Sequence, residues 1–511
     1  MPTSSRRSAD RGGDVLVAVD VGTSGARAAA FDLDGRPIAD ARRPYPTSLP
    51  RDGWAEQDAN HWRRAALGAL GQLIRELGSR RPIKAIGLTG QCPSVVPIDR
   101  RGRPLRPGII YRDNRATAEA DEMRRQFGDR ALHDRTGHLP AAFHVAAKIL
   151  WIRANEPAVF AATDRFLEPS DYVALELVGE PVTDWTIAAA SALFDLRARR
   201  WADDILDGLD LDLRMLPTAH PSWSVVGELR PALVHRFGLS RAIPVVIGAG
   251  DSIACAFGAG VTGPGPVSEM AGSSTCLNTV VAEPLSDLDV THYPSAVSPV
   301  GYMTEVGINT TGEAVDWLTA LTYGGRAGRP RDADFARFDA DAAGVAPGSG
   351  GVIFLPALGD GERDDPGLRG AIVGLSLRHD RRVLGRAVLE GVAFEIRARI
   401  ESLTHAGSPA TELRVSGGDA SLGTWNRIKA DVLGIPVTRV PGDATAAGVA
   451  MLAGLGVGLY RDAAEALTSA GRLEPSIEPD PETHARYEPI YERYQALHGS
   501  SVVRGLEGGI A

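Results

Sequence analysis

Cysteine is scarce in this chain: Cys92, Cys255 and Cys276 are the only three in 511 residues, far apart and without paired spacing. That excludes a disulfide framework and a zinc ribbon, and it fits a reducing compartment. Long apolar runs are missing too. No stretch of 18 apolar residues occurs, so no membrane-spanning helix is expected. Positive charge is in deficit, with 55 Lys and Arg against 64 Asp and Glu and a formal net charge of −9. A basic face broad enough for nucleic acid or an acidic membrane surface is therefore not expected, and any anionic ligand must be held locally. Arg6-Arg7 stand where a twin-arginine export signal would carry them, but the apolar run that follows is too short and contains Asp20. Residues 1–13 read as a disordered leader and the protein as cytoplasmic.

What is present is an ordinary globular composition, 44% hydrophobic and 23% charged. At about 100 to 200 residues per domain, a chain of 511 residues exceeds one core, and two or more domains with a cleft between them are expected. Residues 14–32, DVLVAVDVGTSGARAAAFD, form two apolar runs around a Gly/Thr/Ser turn and read as a β-hairpin. Asp58 can cap a helix whose Trp62, Ala66, Leu70, Leu73 and Leu77 recur at helical spacing, and KAIGLTG follows as a strand. A helix over 145–154 and an apolar strand IPVVIGAG over 243–250 continue the α/β order. A second Gly/Ser/Thr turn in VSEMAGSSTCLNTVV repeats the opening device, a faint sign of internal duplication. The pattern further predicts strands at VIFLPAL and LRVSGGD, helices over 381–403 and 444–455, and a last helix with Tyr487, Ile490, Tyr491 and Tyr494 on one face. Residues 326–344 read as a charged surface excursion and the tail after His498 as mobile. The expected fold class is α/β with domains at 14–247 and 248–497, divided near Ile247.

The first turn, Asp20-Val21-Gly22-Thr23-Ser24-Gly25, brings backbone N–H groups and two hydroxyls together. With Gly22 and Gly25 free to take positive φ, it can cradle a phosphate. Asp20, ending an apolar strand, suits a magnesium ion held through water. A polar hairpin turn is the plain alternative. Gly272-Ser273-Ser274-Thr275 repeats the arrangement, and two cradles suggest a clamp on a triphosphate. Neither turn matches G-x-x-x-x-G-K-[ST] or G-x-G-x-x-G, which disfavours P-loop and Rossmann readings. Asp251 follows the strand at 243–250, at the sheet edge where α/β proteins bind ligands. It is the candidate base for a sugar hydroxyl attacking a γ-phosphoryl group. Its plain alternative is a helix N-cap.

Further segments are WAEQD at Trp54, GQ at Gly90, YRDNRA at Tyr111, TDWTIAAASALFD at Thr183, GAGDSIACAFGAG at Gly248 and GSSTC at Gly272. GER at Gly361, RGAIVGLSLRH at Arg369, RAVLEGVAFEIR at Arg386, SGGDAS at Ser416 and ATAAGVAMLAGLGVG at Ala444 complete the series. In order and spacing, over essentially the whole chain, these resemble the FGGY carbohydrate kinase family, and within it the xylulokinase branch. The resemblance implies two actin-like (ribonuclease-H-like) domains that close on ATP and a small sugar, with a homodimer as a family expectation. It implies that Asp251 is the proton acceptor and that Asp20 and Asp251 border the Mg²⁺ site. Gly22, Thr23, Ser24, Gly272, Ser273 and Ser274 would form the phosphate turns. Gly312 would be a nucleotide contact in the second domain, while Gly417 and Gly418 would let adenosine approach the backbone. Gln91, Cys92, Pro93, Asp113, Arg115, Asp251 and Ser252 would line the sugar.

Two segments depart from that pattern. Xylulokinases continue GQ with Met-His-Gly, whereas this chain reads Gly90-Gln91-Cys92-Pro93-Ser94. Pro93 brings neither a side-chain donor nor a backbone N–H, so one sugar contact must change. Tyr111-Arg112-Asp113-Asn114-Arg115 also differs from Trp-Asn-Asp-x-Arg, while Asp113 and Arg115 keep their places. The expected activity is ATP-dependent phosphorylation of a ketopentose such as D-xylulose, with another pentulose, a pentitol or a tetritol as alternative acceptor. A partner-binding, actin-like nucleotide switch is the alternative from another class. His133, His138 and His144 lack acidic or Cys partners at metal spacing and read as surface or core residues. Gly391 reads as a point of close helix packing, and Cys92 as pocket lining rather than a nucleophile.

Overall fold

The computed structural model describes residues 13–323, 331–359, 368–471, 473–498 and 500. The leader at 1–12, residues 324–330 of the charged excursion, GER at 361–363 and the tail beyond 500 lie outside the described residues.

The first sheet is built from β1 (Val15–Val21), β2 (Gly25–Asp32), β3 (Pro37–Pro44), β4 (Ile83–Gly90), β5 (Val225–Glu228) and β6 (Pro244–Val246). Their order across the sheet is β5-β6-β4-β1-β2-β3. β1 and β2, and β2 and β3, run antiparallel, whereas β1 and β4, and β4 and β6, run parallel. The second sheet contains β7 (Pro266–Ala271), β8 (Thr275–Val281), β9 (Thr291–Pro294), β10 (Tyr302–Ile308), β11 (Glu412–Gly417) and β12 (Val437–Arg439). Its order is β9-β10-β8-β7-β11-β12. Running from β10 to β12, the neighbours are again antiparallel, antiparallel, parallel and parallel. The same sequence of directions from β3 to β6 and from β10 to β12 is the duplication that the two hairpin turns suggest. β1 is buried along its length apart from Asp20, as its unbroken apolar text requires of a strand covered on both faces.

Helices cover these sheets: α1 (Ala59–Leu77), α2 (Val145–Asn155), α3 (Pro169–Val178), α4 (Asp251–Gly258), α5 (Gly312–Thr322), α6 (Asp332–Ala343), α7 (Arg381–His405), α8 (Ala444–Gly456) and α9 (Pro481–His498). Asp58 caps α1 by accepting from the N–H of Asn60, and Trp62, Ala66, Leu70, Leu73 and Leu77 are all buried. Each sheet has its own core. A third core lies between them, where Leu16, Ala18, Ala85 and Val246 meet Ile253 and Phe257 of α4 and Val449, Leu452 and Ala453 of α8. There α4 and α8 cross backbone to backbone. A Cβ on Gly258 would lie 1.8 Å from the Ala444 carbonyl oxygen, and one on Gly448 would lie 1.9 Å from that of Ala254. Among the described residues no helix is long and apolar enough to cross a membrane.

Four expectations change. The strand expected over 243–250 stops at Val246, because the chain turns at Gly248 with φ +75°. VIFLPAL yields only the short strand Ile353–Leu355, since Pro356 cannot donate to a ladder. The charged excursion contains α6, whose Phe338 and Ala342 are buried four residues apart; its many charges conceal an apolar stripe. Gly391 meets a strand rather than a helix, with its missing Cβ 2.3 Å from the Phe354 carbonyl oxygen. His133, His138 and His144 are core residues, with His138 edge-on to His144 and to Tyr293 of β9.

Candidate functional site

Three parallel strands end at one edge of the first sheet. β1 delivers Asp20 and the turn at 22–25. β4 delivers Gly90 and Gln91, whose N–H donates to the Val21 carbonyl at 3.0 Å. Beyond β6, the Ala249 carbonyl accepts from Thr89 Oγ1 at 2.7 Å, and the N–H of Gly250 donates to Thr186 Oγ1 at 2.9 Å. Asp251 follows as the first residue of α4, with Gly250 in the cap position, so Asp251 is not an N-cap. Its Oδ1 accepts from the Ser252 N–H at 2.8 Å. The residue keeps some accessible surface. Burial raises its pKa to about 7, the Ser252 N–H opposes the rise and the charge of Glu305 adds to it.

Asp20 belongs to the same corner. Burial, then the charges of Asp251 and Asp443, push it up to about 8 against the pull of Arg27 and Arg42. Its Oδ1 is enclosed and has no hydrogen-bond partner among the described residues. An enclosed carboxylate oxygen without a donor fits a cation. Magnesium in particular needs only one or two carboxylates beside phosphate oxygens and water. Among the described residues no group of three or more His, Cys, Asp or Glu is placed to hold a metal.

The turn itself is tied down from behind. The Thr23 carbonyl accepts from Gln57 Nε2 at 2.8 Å, Thr23 Oγ1 reaches the Tyr111 hydroxyl at 3.4 Å, and the Gly22 carbonyl accepts from the Tyr45 hydroxyl. Ser24 is exposed. Contrary to expectation, neither Gly22 nor Gly25 takes a positive φ. Gly25 is needed because a Cβ there would stand 2.6 Å from the Arg43 carbonyl oxygen on β3.

Gln91 donates to Gln57 Oε1 at 2.8 Å, leaving its own Oε1 buried without a partner. Cys92 lies beside Gly250, where a Cβ would be 3.2 Å from its Sγ. Burial and then the charge of Asp251 push its thiol well up, which fits pocket lining rather than a nucleophile. Asp113 and Arg115 behave differently from expectation. Asp113 Oδ1 accepts from Arg115 Nε at 2.8 Å, and its Oδ2 accepts from Arg115 Nη2 and the Ala55 N–H, each at 2.6 Å. The guanidinium also pairs with Glu56 at 2.8 Å and lies 3.6 Å from the centre of the Trp54 ring. With side chains 0% and 1% exposed, the pair fastens WAEQD to YRDNRA and leaves almost no side-chain surface accessible.

At the matching edge of the second sheet, β7 and β11 end side by side with Ala271 opposite Gly417. The Gly272 carbonyl accepts from Gly312 N–H at 3.0 Å, and the Ser273 carbonyl accepts from Thr311 N–H at 3.1 Å. Gly272, Ser273 and Gly312 are thus brought together, with Ser273 exposed and Ser274 partly so. Gly417 takes φ +99° against the Ala271 carbonyl, while Gly418 faces open space. Asp419 Oδ2 stands 2.1 Å from where a Cβ on Gly312 would be. α4 is tied to the second sheet from Ser252 Oγ to Glu305 Oε2 at 2.6 Å and from Cys255 Sγ to Ser416 Oγ at 3.0 Å, and the pair Arg27 and Asp443 links the two halves.

Glu305, Asp443, Thr311, Lys148 and Glu168 were not singled out by the sequence. Asp443 had a legible signal, as an Asp opening a small-residue helix, and it accepts from the Ala446 N–H at 2.9 Å. Glu305 and Lys148 are charges inside apolar runs, a pattern that marks a buried partner without naming it.

Two family models, the N-terminal and C-terminal domains of the FGGY family of carbohydrate kinases, match residues 15–258 and 268–457. The chain belongs to the FGGY family of carbohydrate kinases. As a member it is a sugar kinase, and the family implies ATP as a substrate, which sets the nucleotide-switch alternative aside. A xylulose kinase of Lactococcus lactis is 27% identical over 94% of this chain and 96% of its own length. A glycerol kinase of Leptothrix cholodnii is 32% identical over 91% and 95%. The crystal structure of a xylulose kinase from Rhodospirillum rubrum matches with a TM-score of 0.87 and 32% identity, covering 96% of this chain and 99% of that one. The expected pair of actin-like α/β domains is borne out by this FGGY kinase.

Proposed function

We propose that this FGGY kinase transfers the γ-phosphoryl group of ATP to a hydroxyl of a ketopentose, with D-xylulose the first candidate. The observation that carries the reading is Asp251, raised to about 7, at the common end of β1, β4 and β6 and beside the loop at 91–94. A hydroxyl bound there gives its proton to Asp251 as its oxygen attacks the γ-phosphorus, and the bond to the β-phosphate bridging oxygen breaks to release ADP. Gly22, Thr23 and Ser24 on one side, and Gly272, Ser273, Ser274 and Gly312 on the other, receive the phosphates, with Gly417 and Gly418 beside the adenosine. Asp20, with Asp251 near it, would hold Mg²⁺, which supplies charge neutralisation at the phosphates. Gln91, Cys92, Pro93 and Ser252 border the sugar, while Asp113 and Arg115 act from behind by fixing the 54–56 segment. The division at 14–247 and 248–497 assigns the sugar to the first domain and most nucleotide contacts to the second.

A second acceptor reading rests on Pro93. Its ring leaves no donor, and its carbonyl is already engaged by Lys148 at 2.8 Å. A pentitol, a tetritol or another pentulose is then the alternative acceptor. The deciding experiment is Mg-ATP consumption across pentuloses, pentitols, tetritols, hexoses and glycerol, with a no-sugar control. One strong responder among the pentuloses is expected; equal consumption with every compound and with none would overturn the reading.

A further inference from the structure

Lys148 places an ammonium among apolar neighbours. It lies on α2 between Ala147 and Ile149 and has no exposed surface. Burial lowers its pKa to about 7, opposed next by the charge of Glu168. An ammonium is buried at such expense only where it is paired or hydrogen-bonded, and its Nζ donates to the Pro93 carbonyl at 2.8 Å. Glu168, at the cap of α3 and 5% exposed, accepts the Ser94 N–H on Oε2 at 3.0 Å. The loop after β4 is therefore gripped by two buried side chains from different helices, one basic and one acidic. One holds a carbonyl and the other the next amide.

The front of this loop borders the reacting corner, with Cys92 against Gly250, the residue before Asp251. Two apolar side chains would fill the same space without the desolvation cost, so stability alone is a weak reason for the pair. The geometry instead aims each polar head at a main-chain group of the loop that borders Asp251.

We propose that Lys148 and Glu168 are positioning residues that hold the backbone at 92–94 in register with Asp251 and thereby set the preference among acceptor sugars. This deepens the proposed function and rests on its placing the acceptor beside that loop. Neither side chain reaches the sugar, and both act through Pro93 and Ser94.

The test uses the full chain with Lys148→Met, Glu168→Leu and Glu168→Gln. The first two are expected to raise the acceptor KM roughly tenfold to a hundredfold, the weight of one hydrogen bond to a charged group, with the ATP KM within about twofold of wild type. They should also reorder the acceptor ranking. Glu168→Gln keeps an oxygen for the Ser94 N–H and should stay close to wild type. Hydrogen exchange read by mass spectrometry should quicken over 91–95 in Lys148→Met and Glu168→Leu and not in Glu168→Gln. Unchanged exchange there overturns the inference. So does an equal rise of both KM values with a lowered melting temperature, the mark of a merely structural pair. If the wild type consumed ATP without regard to acceptor, the kinase reading alone would fall. The exchange comparison would still decide whether these two residues hold the loop.

Discussion

Asp20 and Asp251 are acids that repel each other in one enclosed corner, and both are pushed up by burial, to about 8 and about 7. As the proton acceptor, Asp251 must be ionised to work. kcat/KM should therefore rise with pH through about 7 and level off above it, in a profile measured with saturating Mg-ATP. Asp251→Asn is expected to lower kcat by about 10² to 10⁴-fold with ATP binding nearly intact, the usual weight of a general base. A variant of full activity would remove Asp251 from the chemistry. The same shifts bear on folding. Folded-state values above the unfolded ones mean the native corner prefers its protons, so its stabilising share is complete below pH about 4 and is lost as pH rises through about 7 to 8. The ligand-free melting temperature should fall across that window, and Asp20→Asn should flatten the fall. Both residues were legible because each ends or follows an apolar strand beside glycine. Glu305, which adds to the rise of Asp251, was not, since nothing in YMTEVGI says which strand end it will meet.

At the scale of elements, the crossing of α4 and α8 fixes where Asp251 stands. Gly448→Val would drive a side chain into the Ala254 carbonyl, now 1.9 Å from the missing Cβ. Overpacking of this kind costs about 1 to 3 kcal/mol, so the variant should melt several degrees lower and lose activity through displacement of α4. Calorimetry and turnover on one preparation check both effects. The hairpins were legible from their turns, and α1, α7, α8 and α9 from their apolar patterning, with the Asp58 cap adding to it for α1. α6 was missed because ten of its twelve residues are charged or alanine, which hid Phe338 behind solvent-facing text. Asp113 and Arg115 show the other limit. Their spacing suggested ligands, but two side chains that satisfy each other leave the same mark in a sequence as two that satisfy a sugar.

For the whole molecule, the pair Arg27 and Asp443 joins the two halves beside the reacting corner, and Ser252 to Glu305 fastens α4 there. A ligand that binds the folded form adds stability by mass action, about 2.7 kcal/mol at a hundred times its dissociation constant. Of the acceptor panel, only the sugar that supports turnover should raise the melting temperature with a saturating dose response. A rise common to all sugars would point to solvent effects instead. The α/β class and the paired halves were readable from the repeated turn. The core between the sheets was not, because residues more than 400 positions apart build it, as Leu16 and Leu452 do.

That shared core has a consequence for the order of events on the ribosome. β1 and β4 are complete once residue 90 has emerged, yet α8, which covers one face of them, begins at Ala444. At about 5 to 20 residues per second, the intervening stretch takes roughly 20 to 70 s to synthesise. Throughout that interval Leu16, Ala18 and Ala85 wait without their final cover. The nascent first half therefore presents a sticky sheet to the cell for most of its translation, and chaperone occupancy is expected to end as the 450s leave the exit tunnel.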